Sequence, residues 1–195
     1  MGMPMKENEA YSSDEKKMML SLARSTIMNA LKKEKLPDPG ALPEKLHEIR
    51  SCFVTLHSSD GGLRGCIGNI EAFEPLCENI MHNALNSAFG DPRFKRMKSL
   101  DELSVVHIEI SVLTLPSKIK SPDEFVIGKH GIILLKDFHS SVFLPQVAPE
   151  QGWDLETTMV HLSLKAGLEP YAWKEPDVEF KVFEAVVFSE KQKDT

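Results

Sequence analysis

The segment at residues 63–68, with the sequence LRGCIG, places a guanidinium and a thiol two positions apart. Cys66 could act as a nucleophile or a thiol donor, because a neighbouring cation favours the thiolate, which is the reactive form. Arg64 offers five donors in a planar fork that fits a carboxylate or a phosphate. Gly65 and Gly68 flank the thiol, and glycine in a strand often marks a bulge or a close approach to the backbone. The segment therefore permits either thiol catalysis or anion binding.

Each of these residues also has a purely structural interpretation. An unpaired cysteine is most often a small buried hydrophobe, and an arginine is most often an ion-pair partner. Cys52 and Cys77, the other two cysteines, we interpret as packing residues. Because the sequence places no general base, a nucleophile at Cys66 would need another source of activation, so we favour binding over catalysis.

The thiol segment is predicted to be the second strand of a hairpin. Residues 52–57 (CFVTLH) and 63–68 are predicted strands, and SSDGG at 58–62 is the turn between them. Matching the apolar sides of the two strands predicts four core-facing side chains: Val54, Leu56, Leu63 and Ile67. The opposite face then carries the polar and reactive side chains Thr55, His57, Arg64 and Cys66. His57 could titrate near neutral pH, although a surface histidine without a catalytic role is the alternative.

A second cluster lies at residues 86–94 (NSAFGDPRF), where Asp91 and Arg93 straddle a proline beyond a predicted helix end. The fixed direction of the chain at a proline predicts that Asp91 pairs with Arg93 or Arg64. The alternative is a local salt bridge that only terminates the helix. Glu109, on the polar side of a later strand, could pair with Arg64 if that strand joins the hairpin.

The elements that must position these groups follow from periodicity and turn chemistry. Ser12 and Glu15 have capping-box spacing and start a helix, and a second helix begins after Pro75 and ends at Gly90. A third helix starts at Asp154. Strands are predicted at residues 105–115, 132–136, 140–144 and 178–188. Because helices and strands do not alternate regularly, the sequence predicts an α+β fold with a mostly antiparallel sheet and packed helices.

Length and charge bound the class of protein. The 195 residues suffice for one domain, predicted at residues 12–190, with flexible segments at 1–11 and 191–195. A net charge of −6 argues against nucleic-acid binding, so we interpret Lys95, Arg96 and Lys98 as a solvated face.

Targeting and metal signals are also missing from the sequence. No apolar run approaches the roughly 20 residues of a membrane span, and the first residues form no signal-peptide core. An odd number of cysteines is more typical of a reducing compartment, so we expect a cytoplasmic protein. Without a CxxC or HExxH spacing, we predict no metal site and no cofactor.

Eight segments follow one another along about residues 15–190: FVTLH (53–57), LRGCIG (63–68), NSAFGDPRF (86–94), DEL (101–103), IEISVLT (108–114), GKHGIIL (128–134), FLPQVAPEQGWD (143–154) and KAGLEPYAW (165–173). Together they resemble the AMMECR-type domain family. The resemblance implies two subdomains, a main lobe and a smaller lobe around a cleft near LRGCIG. It carries a site over to six positions: Arg64, Gly65, Cys66, Gly68, Asp91 and Arg93. It also implies Memo-like and radical S-adenosylmethionine proteins as partners in a shared modification pathway.

Three functions stay open from the sequence. We favour a module that binds an anionic small molecule or peptide in the cleft, with His57 and Glu109 as further binding candidates. The second is an enzyme that uses Cys66, and the third is an interaction scaffold. Because arginine alone offers bidentate recognition, we expect Arg64→Lys to lose more binding than Cys66→Ala.

Overall fold

The computed structural model describes residues 11–190, which form two compact units. The first unit takes in the residues up to Leu113 together with those from Val186 onward, and the second runs from Thr114 to Ala185. The second unit is therefore an insertion within the chain of the first. Of the flexible segments expected at 1–11 and 191–195, residues 1–10 and 191–195 lie outside the described residues.

Within the described residues there are five α-helices: α1 (Ser13–Lys32), α2 (Leu76–Phe89), α3 (Leu100–Ser104), α4 (Val147–Gln151) and α5 (Leu155–Lys165). The strands are β1 (Cys52–His57), β2 (Leu63–Gly68), β3 (His107–Leu113), β4 (Ser117–Ile119), β5 (Gly131–Lys136), β6 (His139–Phe143), β7 (Glu179–Phe183) and β8 (Ala185–Ser189). The expected α+β class is confirmed, with two antiparallel sheets instead of one. Among residues 11–190, no helix combines the length and hydropathy that crossing a bilayer requires.

The sheet of the first unit has the strand order β2-β1-β3-β8, and β1 pairs antiparallel with β2 and β3. Alternation along β1 and β3 sends every second side chain into the core. Those with no exposed surface include Val54, Leu56, Ile108 and Ile110. Helices α1 and α2 pack against this face, so the hairpin β1–β2 is supported from one side.

The N-terminal end of α1 is built by a capping box, as predicted. Ser12 Oγ accepts from the N–H of Glu15, and the Glu15 carboxylate accepts from the N–H of Ser12. Tyr11, which we expected in the flexible N-terminus, is instead buried in the core. Burial raises the pKa of its hydroxyl to about 12.

The sheet of the second unit has the order β4-β7-β5-β6, with antiparallel neighbours. Helix α5 packs on it and begins, as predicted, at Asp154, whose carboxylate accepts from the N–H of Thr157 at 2.8 Å. Ile132, Leu134 and Met159 are fully buried in a core that belongs to this unit.

The single strand expected at 178–188 is wrong. Glu184 interrupts it, and the two parts, β7 and β8, belong to different sheets. The Thr114 N–H donates to the Glu184 carbonyl at 2.9 Å, and the Glu184 N–H donates to Thr114 Oγ1 at 2.8 Å. The apolar pattern continues through this break, so periodicity could not reveal it.

Candidate functional site

A β-bulge decides which side chains of the hairpin share a face. The strand register pairs Leu56 with Gly65 and then His57 with Leu63. β2 therefore carries one extra residue, Arg64, beside Gly65 and opposite Leu56. The expectation that Leu63 faces the core is wrong, because the bulge moves it opposite His57, where it is 43% exposed.

The guanidinium of Arg64 makes its contacts with other groups of the protein. Nη2 donates to the Lys95 carbonyl at 2.7 Å and lies 3.4 Å from the Glu102 carboxylate. The side chain is 20% exposed, and Nη1 is buried without a hydrogen-bond partner among the described residues. The pair between Arg64 and Glu109 that the sequence allowed is not formed, because Glu109 lies beside His57 and Arg64 beside Glu102. Arg64 therefore does not present its fork to solvent.

Asp91 and Arg93 hold the outer edge of β2 at Cys66. The Asp91 side chain is 1% exposed, and its carboxylate accepts from the Cys66 N–H at 2.9 Å. It also accepts from Nε, Nη2 and the backbone N–H of Arg93, at 3.0, 2.8 and 3.1 Å. Arg93 Nη2 donates in addition to the Cys66 carbonyl at 3.1 Å. The predicted pairing of Asp91 is confirmed with Arg93, and the pair satisfies both backbone groups of Cys66 at the strand edge.

These contacts fix the charges at the edge of β2. Hydrogen bonds from Arg93 hold the pKa of the Asp91 carboxyl well below its usual range, and the Cys66 N–H lowers it further. In return Asp91 raises the pKa of Arg93, with a smaller contribution from Cys66. The Arg93 side chain is 56% exposed, and its Nη1 has no partner among the described residues. Its free side can therefore meet an anion.

Cys66, Thr55 and Glu109 form a row across β2, β1 and β3. Thr55 Oγ1 donates to Cys66 Sγ at 3.3 Å, whereas His57 Nε2 lies 3.7 Å from the Glu109 carboxylate. His57 is thus engaged with Glu109 and not with the sulfur. Among the described residues, no general base lies within hydrogen-bond reach of the thiol.

Gly65 and Gly68 are explained by close packing. A Cβ on Gly65 would lie 2.3 Å from the backbone carbonyl oxygen of Ser87 in α2, and a Cβ on Gly68 would lie 2.3 Å from the ring of Phe53. Real Cβ atoms essentially never approach closer than 3.0 Å. The absence of a side chain at these positions lets α2 and β1 approach β2, and neither glycine needs a ligand to account for it.

Sequence reasoning missed a polar stripe on α2, formed by Asn79, Asn83 and Ser87. Asn79 accepts from the N–H of Cys52 at 2.9 Å, and Asn83 donates to the carbonyl of the same residue at 3.1 Å. Ser87 Oγ accepts from the Ile67 N–H at 2.9 Å and donates to a carbonyl of β1 at 2.7 Å. The four-residue spacing of these polar side chains was the available signal.

Comparison with known proteins assigns this fold to a family. The AMMECR1 family model matches residues 20–188, which is most of the chain. The chain belongs to the AMMECR1 family. A relative in Methanopyrus kandleri is 41% identical over 191 residues, covering 94% of this chain and 92% of its own. A relative in Nanoarchaeum equitans is 37% identical and covers 88% of this chain and 98% of its own.

A solved structure extends the AMMECR1 assignment to three dimensions. The crystal structure of an uncharacterized protein from Pyrococcus horikoshii matches with a TM-score of 0.81 at 35% identity. The match covers 93% of this chain and 94% of that chain.

Within this AMMECR1-family chain, Cys66 is the partly exposed thiol. Cys52 and Cys77 are buried, and all three cysteines are free. Burial raises the pKa of Cys52 to about 12 and also raises that of Cys77. Among residues 11–190, no group of three or more His, Cys, Asp or Glu side chains is arranged to hold a metal ion.

Proposed function

We propose that this AMMECR1-family protein is a binding module that takes an anionic small molecule or an anionic peptide group at the edge of β2, beside Cys66. The observation that carries the proposal is the two-sided environment of Arg93. Buried Asp91 fixes one side of the guanidinium through a bidentate contact, and the other side is open to solvent. A guanidinium that is already held in place loses less conformational entropy when it binds a ligand.

The charge around this guanidinium supports an anionic ligand. Arg93, Lys95, Arg96 and Lys98 are all exposed, although the whole chain has a net charge of −6. Asp91 pairs with one side of Arg93 only, and the exposed cations that follow Arg93 in the sequence form no ion pair with a described residue.

Catalysis by Cys66 is the second candidate function. The thiol is partly exposed and lies at the same edge as Arg93, which favours it. A thiol nucleophile without a positioned base is poorly activated, however, and the hydroxyl of Thr55 cannot take up its proton near neutral pH. We therefore place binding first.

The cellular setting is part of the same proposal. We place the protein in the cytoplasm, in a modification pathway with Memo-like and radical S-adenosylmethionine proteins. The bound anionic group would then belong to a substrate or a peptide of that pathway.

Protection of Cys66 tests the proposal directly. The full chain is incubated with inorganic phosphate, citrate, glutamate or a short glutamyl peptide and then treated with limiting iodoacetamide. Because Cys52 and Cys77 are buried, peptide mapping by mass spectrometry reports alkylation at Cys66. We expect at least one of these anions to slow that alkylation and to raise the melting temperature.

The matched variants are Arg93→Lys, which keeps the charge but loses the fork, and Lys120→Ala, which removes an exposed cation in the second unit. Protection should be lost in Arg93→Lys and retained in Lys120→Ala. Equal protection in both variants, or protection by none of the four anions, would count against the binding module.

A further inference from the structure

The C-terminal ends of α1 and α2 line an open groove that the binding site proposed at β2 does not use. Its volume is about 400 Å³, near the lower end of the range for binding pockets. Five of the six residues that line it are apolar by type and the sixth is an arginine: Ala30, Leu31, Leu85, Phe89, Arg96 and Met97. The groove can therefore receive one large apolar side chain.

Arg96 sets the chemistry at the rim of this groove. Its guanidinium lies over the ring of Phe89, 4.9 Å from the ring centre. The side chain is exposed and makes no hydrogen bond or ion pair with another described residue. An arginine stacked on an aromatic face keeps the N–H groups of its edge available, and these fit a carboxylate bidentately.

Further cations flank the groove in the sequence. Lys32, Lys33 and Lys35 lie at the end of α1, and Lys95 and Lys98 flank Arg96; all are exposed, and none forms an ion pair with a described residue. Lysines at the end of α1 also stabilise its dipole, but Lys95, Arg96 and Lys98 lie outside any helix. Glu34 is the one acidic residue within these two short runs, so a surface with this excess of unpaired cations, in a chain of net charge −6, is complementary to an acidic partner.

We propose that this groove docks an acidic segment of a partner protein, with one large apolar side chain in the groove and an adjacent carboxylate on Arg96. A nucleic acid would use the cations but not the apolar floor. A protein that binds a membrane surface inserts protruding apolar side chains, whereas the apolar side chains of this groove are recessed. This surface goes beyond the proposed function, because it uses none of Cys66, Asp91 and Arg93.

Selection from random peptides tests the proposal, since it requires no identified partner. Peptides of about twelve residues displayed on phage are panned against the full chain, and fluorescein-labelled copies of the enriched sequences are measured by anisotropy. We expect enrichment of Asp and Glu next to Leu, Ile, Phe or Trp. Binding should weaken by about tenfold in Arg96→Ala, and also in Ala30→Trp, which fills the groove. Lys120→Ala, which removes an exposed cation in the second unit, serves as the control and should bind as the wild type.

The proposal is overturned if no peptide is enriched, if the enriched peptides lack acidic residues, or if Arg96→Ala binds them unchanged. Single-stranded polyuridine and vesicles containing phosphatidylserine form two further arms. If polyuridine or the vesicles bind more tightly than the peptides, and this binding depends on Arg96, then the partner is RNA or a lipid surface and the proposed acidic segment is wrong. Because Arg96→Ala changes an exposed side chain, its melting temperature should match the wild type, which separates lost docking from lost folding.

Discussion

Asp91 is a buried carboxylate surrounded by four donors, and this makes it the most constrained charge of the site. Its oxygens serve the Cys66 backbone and three N–H groups of Arg93. We expect Asp91→Asn to lower the free energy of unfolding at pH 7 by about 2 kcal/mol, because the amide replaces one acceptor oxygen by a donor that faces other donors. Urea unfolding of both proteins measures this difference.

The same residue predicts how stability depends on pH. The folded protein lowers the pKa of Asp91, so between that value and the unfolded value of about 3.9 the unfolded chain binds more protons. The stabilisation by Asp91 is thus complete above about pH 5 and is lost progressively as the pH falls below it. The difference between wild type and Asp91→Asn should shrink between pH 5 and pH 3, each pH being measured by urea unfolding. A constant difference across this range would contradict the prediction.

The two arginines of the site are expected to respond differently to mutation. From the sequence alone we expected Arg64→Lys to lose binding, but Arg64 donates to the Lys95 carbonyl inside the protein. We now expect Arg64→Lys to lower the free energy of unfolding by about 1 kcal/mol and to leave anion protection of Cys66 intact. Arg93→Lys should show the loss of protection instead. The stability of both variants is measured by urea unfolding, and the protection of Cys66 by iodoacetamide labelling. If Arg64→Lys has normal stability but loses protection, the expectation from the sequence is correct and this prediction is wrong.

The sequence supports only part of this site. The pairing of Asp91 with Arg93 follows from local spacing across a proline, and the structure confirms it. The position of Arg64 depends on the bulge, which strand alternation cannot locate, because an extra residue leaves the composition of both strands unchanged. Glycine at position 65 was the one hint of the bulge.

At the scale of elements, α2 and the hairpin are joined through backbone contacts as well as apolar packing. Ser87 connects β1 to β2 by its hydroxyl, and its own carbonyl lies where a Cβ of Gly65 would have to be. The helix can approach so closely because one position of β2 has no side chain. The hairpin and α2 are therefore expected to form one cooperative unit.

Gly65→Ala tests this contact. The added methyl group would meet backbone at 2.3 Å, so α2 or β2 must move, and we expect a loss of about 3 kcal/mol in the free energy of unfolding. Gly62→Ala in the hairpin turn is the matched control: its Cβ would meet only side-chain oxygens of Ser58 and Asp60 at 3.1 Å, which can move. Thermal unfolding of both variants measures the contrast. Similar melting temperatures for the two variants would show that α2 can move away from β2 without a loss of stability.

Elements with local signals were predicted well, and elements defined by tertiary partners were not. The bounds of β1 and β2 and the capping box at Ser12 match the structure, because turn and cap residues lie in the sequence beside them. The division between β7 and β8 at Glu184 has no such signal, since both parts are apolar and differ only in the sheet that they join. The contact between Asn79 and Cys52 likewise exists only after folding.

At the scale of the whole molecule, the chain leaves the first unit after β3 and returns to it as β8. Glu190 fastens the returning segment, since both its carboxylate oxygens accept from Arg24 and one accepts from the Ile108 N–H at 2.9 Å. Arg24 also donates to the carbonyls of Leu103 and Val106. The first unit thus needs residues from both ends of the described chain, whereas the second is one continuous segment.

This difference predicts that the segment Thr114–Ala185 folds when produced alone. It has its own buried core and its own sheet, and the bonds between Thr114 and Glu184 hold its ends together. The core of such a small segment rarely contributes more than a few kcal/mol to stability. We therefore expect a free energy of unfolding of roughly 3 kcal/mol and a cooperative thermal transition in circular dichroism. The control is Leu162→Asp in the same segment, which puts a charge in the fully buried core and should abolish the transition. If the wild-type segment melts without cooperativity, as the Leu162→Asp variant is expected to do, then the core around Ile132 and Met159 is not sufficient to fold the second unit.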